Sequence, residues 1–429
     1  MVCDRSGSKK GQNERVALNL LVLTPLVPYP PHDGDKLRLY HFLKQLRRRG
    51  HVIDLFCITR VKDDFRHAED LRPLCRRIYL EHLTSFDLFF NLVGGGLLGQ
   101  SFNVSSYFSP KLRESLKAYW QSKDGLAVDV VLAHRLRMAP AAFEGNPGKA
   151  VVLELTDCLT TFTDQLKAQS GARFSRRVAA WWDYWFLRKE ETDWSERAAK
   201  TLVISEPDAQ ALRELGVPSD KVEVIENGVD IPKRSKAPKP GLYPKQAPVV
   251  CFVGNMGYAP NEDGARWFLK EVWPQVKSRV PKAVFAMVGG QPRKALWKFH
   301  NGQDILVTGW VPKIEPYVQQ ATVTIAPLRL TAGMQNKVAL SLSLGVPVVA
   351  TRGAVAWLSM KGREGLKIAE DAGLFAEQVI ESLLKPRQAR VQALKGKMFI
   401  LKNYRWNKAG QKLEAILKMA IKRTSGRKS

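Results

Sequence analysis

Short apolar runs alternate with amphipathic stretches along most of this chain. Leu18–Thr24 reads as a buried strand, Lys36–Arg49 carries Leu37, Tyr40, Leu43 and Leu46 at helical spacing, and Val52–Ile58 is the next strand. Val128–Ala133, Val151–Leu155 and Thr201–Ile204 continue the series. Strands that alternate with helices predict a parallel sheet covered on both faces. The alternation stops over Ile231–Pro248, where five prolines stand among five basic residues and no acid, the composition of a linker. It restarts with the strand Val249–Val253, which ends on Gly254. A helix over Asn261–Lys277 and strands at Val284–Val288, Leu306–Thr308, Val323–Ala326 and Val348–Ala350 follow. Near the end, Leu413, Ile416, Leu417, Ala420 and Ile421 keep the spacing of an amphipathic helix, with lysines elsewhere on it.

The expected organisation is α/β throughout: a polar basic segment 1–17, a first unit 18–231, a proline-rich basic linker 232–248, a second unit 249–400, and an amphipathic helix with a basic tail over 401–429. A length of 429 residues agrees with two or three domains. Five cysteines without paired spacing argue against a disulfide framework or a zinc site, and no metal is expected. The first fifteen residues have no apolar core of a secretory signal, and the most apolar stretch, Leu88–Leu98, is too short for a membrane span. A cytoplasmic protein, attached at most to a membrane surface, is the expectation.

Charge adds a partner. Lys and Arg number 67 against 41 acids, a net +26. Lys385–Ser429 holds fourteen basic residues against Glu414 alone, so half of that surplus lies in the last segment. Phosphate, a nucleic acid or a lipid surface would complement it.

Ligands of open α/β sheets sit beyond the carboxyl ends of the strands, so two such sheets form a cleft with a different ligand on each wall. The richest loop follows Val323–Ala326 and runs Pro327-Leu328-Arg329-Leu330-Thr331-Ala332-Gly333-Met334-Gln335-Asn336-Lys337 into a helix. Gly333 permits close backbone approach, free N–H groups at a helix start attract phosphate, and Arg329 and Lys337 are cations. A diphosphate suits this loop, although an ordinary turn with two solvated cations has the same composition. On the other wall, Gly34 follows the first strand. Asp157 follows Val151–Thr156, where it can bond an acceptor hydroxyl or cap the next helix. Ser205 and Glu206 end the last strand before the linker.

Gly333-Met334-Gln335-Asn336-Lys337-Val338, with Leu344-Gly345-Val346-Pro347-Val348-Val349-Ala350-Thr351, resembles the donor-binding signature of the retaining glycosyltransferases of family 4, which have the GT-B fold. The branch linked to exopolysaccharide and exosortase systems is the most similar. Asp33-Gly34-Asp35-Lys36-Leu37-Arg38, Asn227-Gly228-Val229-Asp230, Phe252-Val253-Gly254-Asn255-Met256 with Pro260-Asn261, Gly309-Trp310-Val311-Pro312 and Tyr404-Arg405-Trp406 resemble the same family in the same order, over roughly residues 18 to 415.

The resemblance implies two Rossmann-like domains facing across a cleft, with the C-terminal helix crossing back. It implies metal-independent transfer of a sugar from a nucleotide-sugar donor to a glycan or lipid-linked acceptor, with retention. The donor set would be Gly254, Asn255, Met256, Arg329, Gly333, Met334, Gln335, Asn336, Lys337 and position 340; Gly34, His134 and Asp157 would face the reacting centre. Arg293 and Lys294 are further cations for the diphosphate, or a solvated pair. Asp33-Gly34-Asp35 matches the metal motif of the other glycosyltransferase fold but lies in the first loop, where that role is not expected. One departure stands out. The family places a Glu against the nucleotide ribose where this chain has Leu340, and the other acid of its spaced pair falls at Ala332. That admits a catalytically weakened scaffold as the second reading.

Two aromatic stretches bear on the acceptor. Phe86, Leu88, Phe89, Phe90, Leu92 and Val93 precede three glycines, and Trp181, Trp182, Tyr184, Trp185 and Phe186 lie between Arg173, Arg176, Arg177 and Arg188, Lys189. Aromatics flanked by cations suit a lipid interface, and core packing explains a tryptophan cluster equally well. An anionic membrane surface is therefore the expected partner; a nucleic acid is not, since no nucleic-acid-binding signature accompanies the charge.

Overall fold

A computed structural model describes residues 17–168, 174–230, 242–244, 247–359 and 365–426. Nearly all of the expected segment 1–17, most of the linker 232–248 and the last three residues of the tail lie outside the described residues. The first sheet contains β1 (Asn19–Thr24), β2 (Val52–Thr59), β3 (Arg77–His82), β4 (Val130–His134), β5 (Ala150–Thr156), β6 (Lys200–Val203) and β7 (Val222–Val224), all parallel, in the order β3-β2-β1-β4-β5-β6-β7. The second contains β8 (Val249–Val253), β9 (Val284–Val288), β10 (Ile305–Val307), β11 (Val323–Ala326), β12 (Val348–Ala350) and β13 (Leu366–Ile368), also parallel, in the order β10-β9-β8-β11-β12-β13. The central strands are buried on both faces, which is why they read as continuous apolar runs.

The fold is GT-B: two Rossmann-like domains facing across a cleft, closed by a helix that returns to the first. That helix, Trp406–Ser425, buries Leu413, Ile416, Leu417 and Ala420 in the same cluster as Leu39, Phe42 and Leu43 of the helix Gly34–Arg48. Its apolar face is thus committed to the fold, and the Trp406 ring stacks on His41 with centroids 4.2 Å apart. The chain leaving the first domain and the chain returning to it pair where the Val229 N–H donates to the Tyr404 carbonyl (2.9 Å).

The helix expected over Asn261–Lys277 is three pieces: Ala259–Trp267, a π-helical turn Phe268–Val272, and Trp273–Arg279. Pro274 at the start of the third piece has no N–H to donate, and the wider turn before it accommodates the loss.

Candidate active site

Each sheet order reverses direction once, between β1 and β4 in the first domain and between β8 and β11 in the second. Loops diverge at such points and leave a crevice at the carboxyl ends of the strands. Gly34 follows β1, His134 and Arg135 stand at the end of β4, Gly254 follows β8, and the loop containing Gly333 follows β11. The two crevices face each other.

The second-domain wall is made of glycines, amides and one lysine. Lys337, in the first turn of the helix Asn336–Ser343, places Nζ 2.6 Å from Asn261 Oδ1 and 5.3 Å from the centre of the Phe252 ring. No carboxylate pairs with it among the described residues, and burial pushes its ammonium down to about 7. Asn261 also donates from Nδ2 to the Asn255 carbonyl (2.8 Å), which ties the loop after β8 to the lysine. A Cβ on Gly254 would lie 2.8 Å from Asn261 Nδ2. Gln335 does not cap the helix start; its side chain donates to the Ala332 carbonyl, leaving the first-turn amides without a side-chain cap. Gly333 has φ +61°, and a Cβ there would stand 3.1 Å from Ile204 and 3.6 Å from the Asp157 Cβ across the cleft. Only glycine combines that conformation with that approach.

The first-domain wall is charged. His134, fully buried, bonds Glu154 through Nδ1, and its Nε2 has no protein partner among the described residues. Arg38, also fully buried, donates from Nε to Glu154 Oε1 (2.8 Å) and from Nη1 to Asn227 Oδ1 (2.9 Å). Burial works to raise the Glu154 carboxyl, but Arg38 and then His134 outweigh it and hold it well below the usual carboxylate range. Asn227 Nδ2 in turn donates to Asn336 Oδ1 (3.1 Å). An unbroken hydrogen-bonded chain, Asn336–Asn227–Arg38–Glu154–His134, therefore joins the helix Asn336–Ser343 to the histidine of the opposite domain.

Beside it, Arg135 bridges the carboxylates of Asp35 and Asp157. Arg135 and Thr156, at the ends of adjacent strands, have φ of +69° and +71°, strain that a non-glycine residue holds only where its surroundings fix it. Asp208, raised to about 6 first by burial and then by Asp157, accepts the Cys158 N–H (3.1 Å) and the Ser205 hydroxyl. Gln165 exchanges two hydrogen bonds with the Thr331 backbone, 2.9 and 3.0 Å.

The structure thus brings Gly34, Asp157, Gly254, Gly333, Asn336 and Lys337 to one cleft. A Cβ on Gly34 would be 3.3 Å from Asn336 Nδ2. Asp157 does not cap the helix after it; Glu191 takes the Leu159 and Thr160 N–H groups. Arg329 turns away to fork with Asp263 at 2.6 and 2.9 Å. The side chains of Met256 and Met334 belong to the core, the Met256 N–H is used by the Gly290 carbonyl, and Leu340 packs on the cluster of Val249 and Leu344. Arg293 pairs with Glu262 and stays at the surface, where Lys294 is also exposed. Ser205 caps the helix Glu206–Glu214, and Glu206 pairs with Arg213. Asp33 caps the helix Gly34–Arg48 while Asp35 serves Arg135, so the two acids of that motif part company. Arg38, Glu154, Arg135 and Asp208 were not legible as site residues; their role appears only when distant strand ends meet.

Comparison with known proteins agrees with this fold. Residues 36–233 match the family model Glycosyltransferase Family 4, and residues 247–385 match Glycosyl transferases group 1. An uncharacterized 44.6 kDa protein in the cps region of Klebsiella pneumoniae is 20% identical over 397 residues, 90% of this chain and 96% of that one. Among solved structures, sucrose-phosphate synthase from Thermosynechococcus elongatus superposes with a TM-score of 0.68 at 16% identity, covering 93% of this chain and 98% of that one. Anabaena Alr3699/HepE in complex with UDP-glucose superposes with a TM-score of 0.64 at 15% identity, covering 93% and 99%. At these identities the structural likeness is one of fold.

Proposed function

The chain is a glycosyltransferase of the GT-B fold, and we propose that it moves a hexose from a nucleoside-diphosphate donor to a glycan or lipid-linked acceptor in surface polysaccharide assembly. The observation that carries this reading is Lys337: a desolvated lysine at a helix start, held by a neutral amide, beside uncapped amides and the loop after β8. A diphosphate placed there receives the lysine, the first-turn N–H groups and the helix dipole together. The same groups stabilise charge on the departing diphosphate as the anomeric bond breaks, without a metal in the proposed chemistry. His134, buried and oriented by Glu154, lies behind the sugar position on this reading, and Asp157 faces the acceptor hydroxyl. The UDP and UDP-glucose complexes of the HepE structures and the cps-region relative support donor class and pathway respectively. Retention of configuration follows from the family resemblance.

Thermal unfolding with UDP, GDP and single-stranded DNA tests this. One nucleoside diphosphate, at a hundredfold excess over its Kd, should raise the midpoint by roughly 3 °C. A response to DNA alone, fading steeply with salt, would overturn the reading. A second reading rests on Leu340, which cannot accept ribose hydroxyls. A catalytically weakened scaffold would bind the nucleotide yet release none from a panel of nucleotide sugars offered with membrane extract.

A further inference from the structure

The helix Ser85–Leu97 turns its apolar face outward. Phe86, Phe90, Val93 and Leu97 fall at i, i+4, i+7 and i+11, and they are 70%, 53%, 47% and 85% exposed, with Phe89 beside them at 63%. Its inward face carries Gly95. A Cβ on Gly95 would lie 2.2 Å from the Ser105 Cβ, so only glycine lets this helix seat on Phe102–Ser105. Thr84 and Asp87 close its start as a capping box, which commits the segment to helix. The surface continues through exposed Leu98 to Trp181 and Trp185 on the helix Phe174–Arg197. The two elements join where Trp182 Nε1 donates to the Gln100 carbonyl (3.3 Å) and Phe186 lies against Gly99.

Contiguous apolar patches of this kind mark a binding surface, and the surroundings specify the partner. Asp87 is the helix's only acid and is engaged in the cap. Arg113, paired with Glu144 (2.8 Å), lies over Phe108 at 4.2 Å, and the Phe108 carbonyl accepts a hydrogen bond from Asn91 of the apolar helix. Behind it, Arg60 and Arg137 both stack on Tyr107, 4.1 and 4.9 Å from the ring centre. Arg60 donates to the Ser106 carbonyl (2.8 Å) and Arg137 to Asn103 Oδ1 (2.7 Å); neither forms an ion pair among the described residues. Burial, then Arg135, holds the Arg137 guanidinium below its usual value, so this pair adjoins the charged wall of the cleft.

We propose that this face is a membrane-docking surface: the helix Ser85–Leu97 lies in the plane of an anionic bilayer with its phenylalanines among the acyl chains, and Arg60 and Arg137 receive lipid phosphate on the path to the cleft. Thirteen residues make a helix about 20 Å long, short of the ~30 Å hydrocarbon core, so it lies in the surface rather than across it. The net +26 complements anionic lipid, and aromatic side chains favour the interface. The docking rests on the proposed transferase reading only for its purpose, delivery of a membrane-borne acceptor.

Cosedimentation of the full chain with phosphatidylcholine vesicles, with and without phosphatidylglycerol, tests it. Wild type should bind, and more strongly with phosphatidylglycerol. Phe89→Ser with Phe90→Ser should lower partitioning on the order of tenfold or more. Arg60→Gln with Arg137→Gln should remove several-fold of the phosphatidylglycerol-dependent part. Met398→Ser, at an equally exposed residue of the second domain, should change nothing. No binding by wild type, or full binding by the phenylalanine variant, overturns the proposal. So does self-association of the wild type that the phenylalanine variant abolishes, which would assign the face to a second copy. Nucleotide stabilisation without vesicle binding sinks the docking and spares the transferase; vesicle binding without nucleotide stabilisation does the reverse.

Discussion

The two walls of the cleft are held by opposite means. The first-domain wall is a set of buried charges that already neutralise one another: Arg38 with Glu154, and Arg135 with Asp35 and Asp157. The second-domain wall has amides, glycines and a single lysine whose partner is neutral. An anion arriving at Lys337 breaks no ion pair and gains a cation that apolar surroundings leave poorly compensated. An anion arriving at Arg135 must displace a carboxylate first. On the proposed reading, the second-domain wall would therefore take the diphosphate and the first-domain wall neutral sugar hydroxyls, for which fixed carboxylates are good acceptors.

The largest test of this contrast is Arg38→Met. Removing one member of a fully buried pair strands Glu154 and leaves Asn227 without its donor, at a cost of about 3–5 kcal/mol. Calorimetry should show the midpoint lower by roughly 3–6 °C. A midpoint within a degree of wild type would mean that the first wall is no more rigid than the second.

Lys337→Met should behave in the opposite sense. Nucleoside diphosphate affinity, read by titration calorimetry, should fall about 30- to 100-fold, the worth of a hydrogen bond to a charged group. Thermal stability should hold or rise, because the folded state no longer desolvates an ammonium. The pH dependence follows from the same group. Lys337 titrates near 7 in the free protein, and a bound diphosphate raises that value. Affinity should be highest below pH 7 and decline above it, by up to about tenfold per unit, until the pKa of the complex is passed. A flat profile from pH 6 to 9 would place the phosphates elsewhere.

The contrast also explains what the sequence made legible. The second wall is local: strand, glycine-bearing loop and lysine are contiguous, and a motif reader finds them. The central strands were legible for a related reason, since burial on both faces makes β1 and β8 continuous apolar runs. The edge strands β3, β7 and β13 are short or half-buried and carry charged residues, so no apolar run announces them. The first wall is non-local. Arg135 joins Asp35 and Asp157, which are 100 and 22 residues away, and nothing in its own neighbourhood signals that union. Asn261 escaped as a site residue for the same reason, because its partner Lys337 is 76 residues on. The aromatic cluster at Trp181–Phe186 split: Trp182 and Phe186 pack inward and Trp181 and Trp185 face out, a division set by which face meets Gly99 and Gln100.

The smallest expected effect concerns Leu340, where the second wall departs from the family pattern it resembles. Leu340 lies one turn beyond Lys337 and is only partly buried against Val249 and Leu344. Leu340→Glu forfeits part of that packing, about 1 kcal/mol or less at a half-exposed site. If the ribose lies where the diphosphate site puts it, the new carboxylate accepts its hydroxyls and tightens nucleotide binding by roughly three- to tenfold. The gain should be specific to the ribonucleotide: UDP or GDP should respond, and inorganic diphosphate should not. Equal affinities for the nucleotide before and after the change would show that the ribose is held by other groups. The second wall would then differ from the family pattern in how it grips the nucleoside, while Lys337 and the helix start still grip the phosphates.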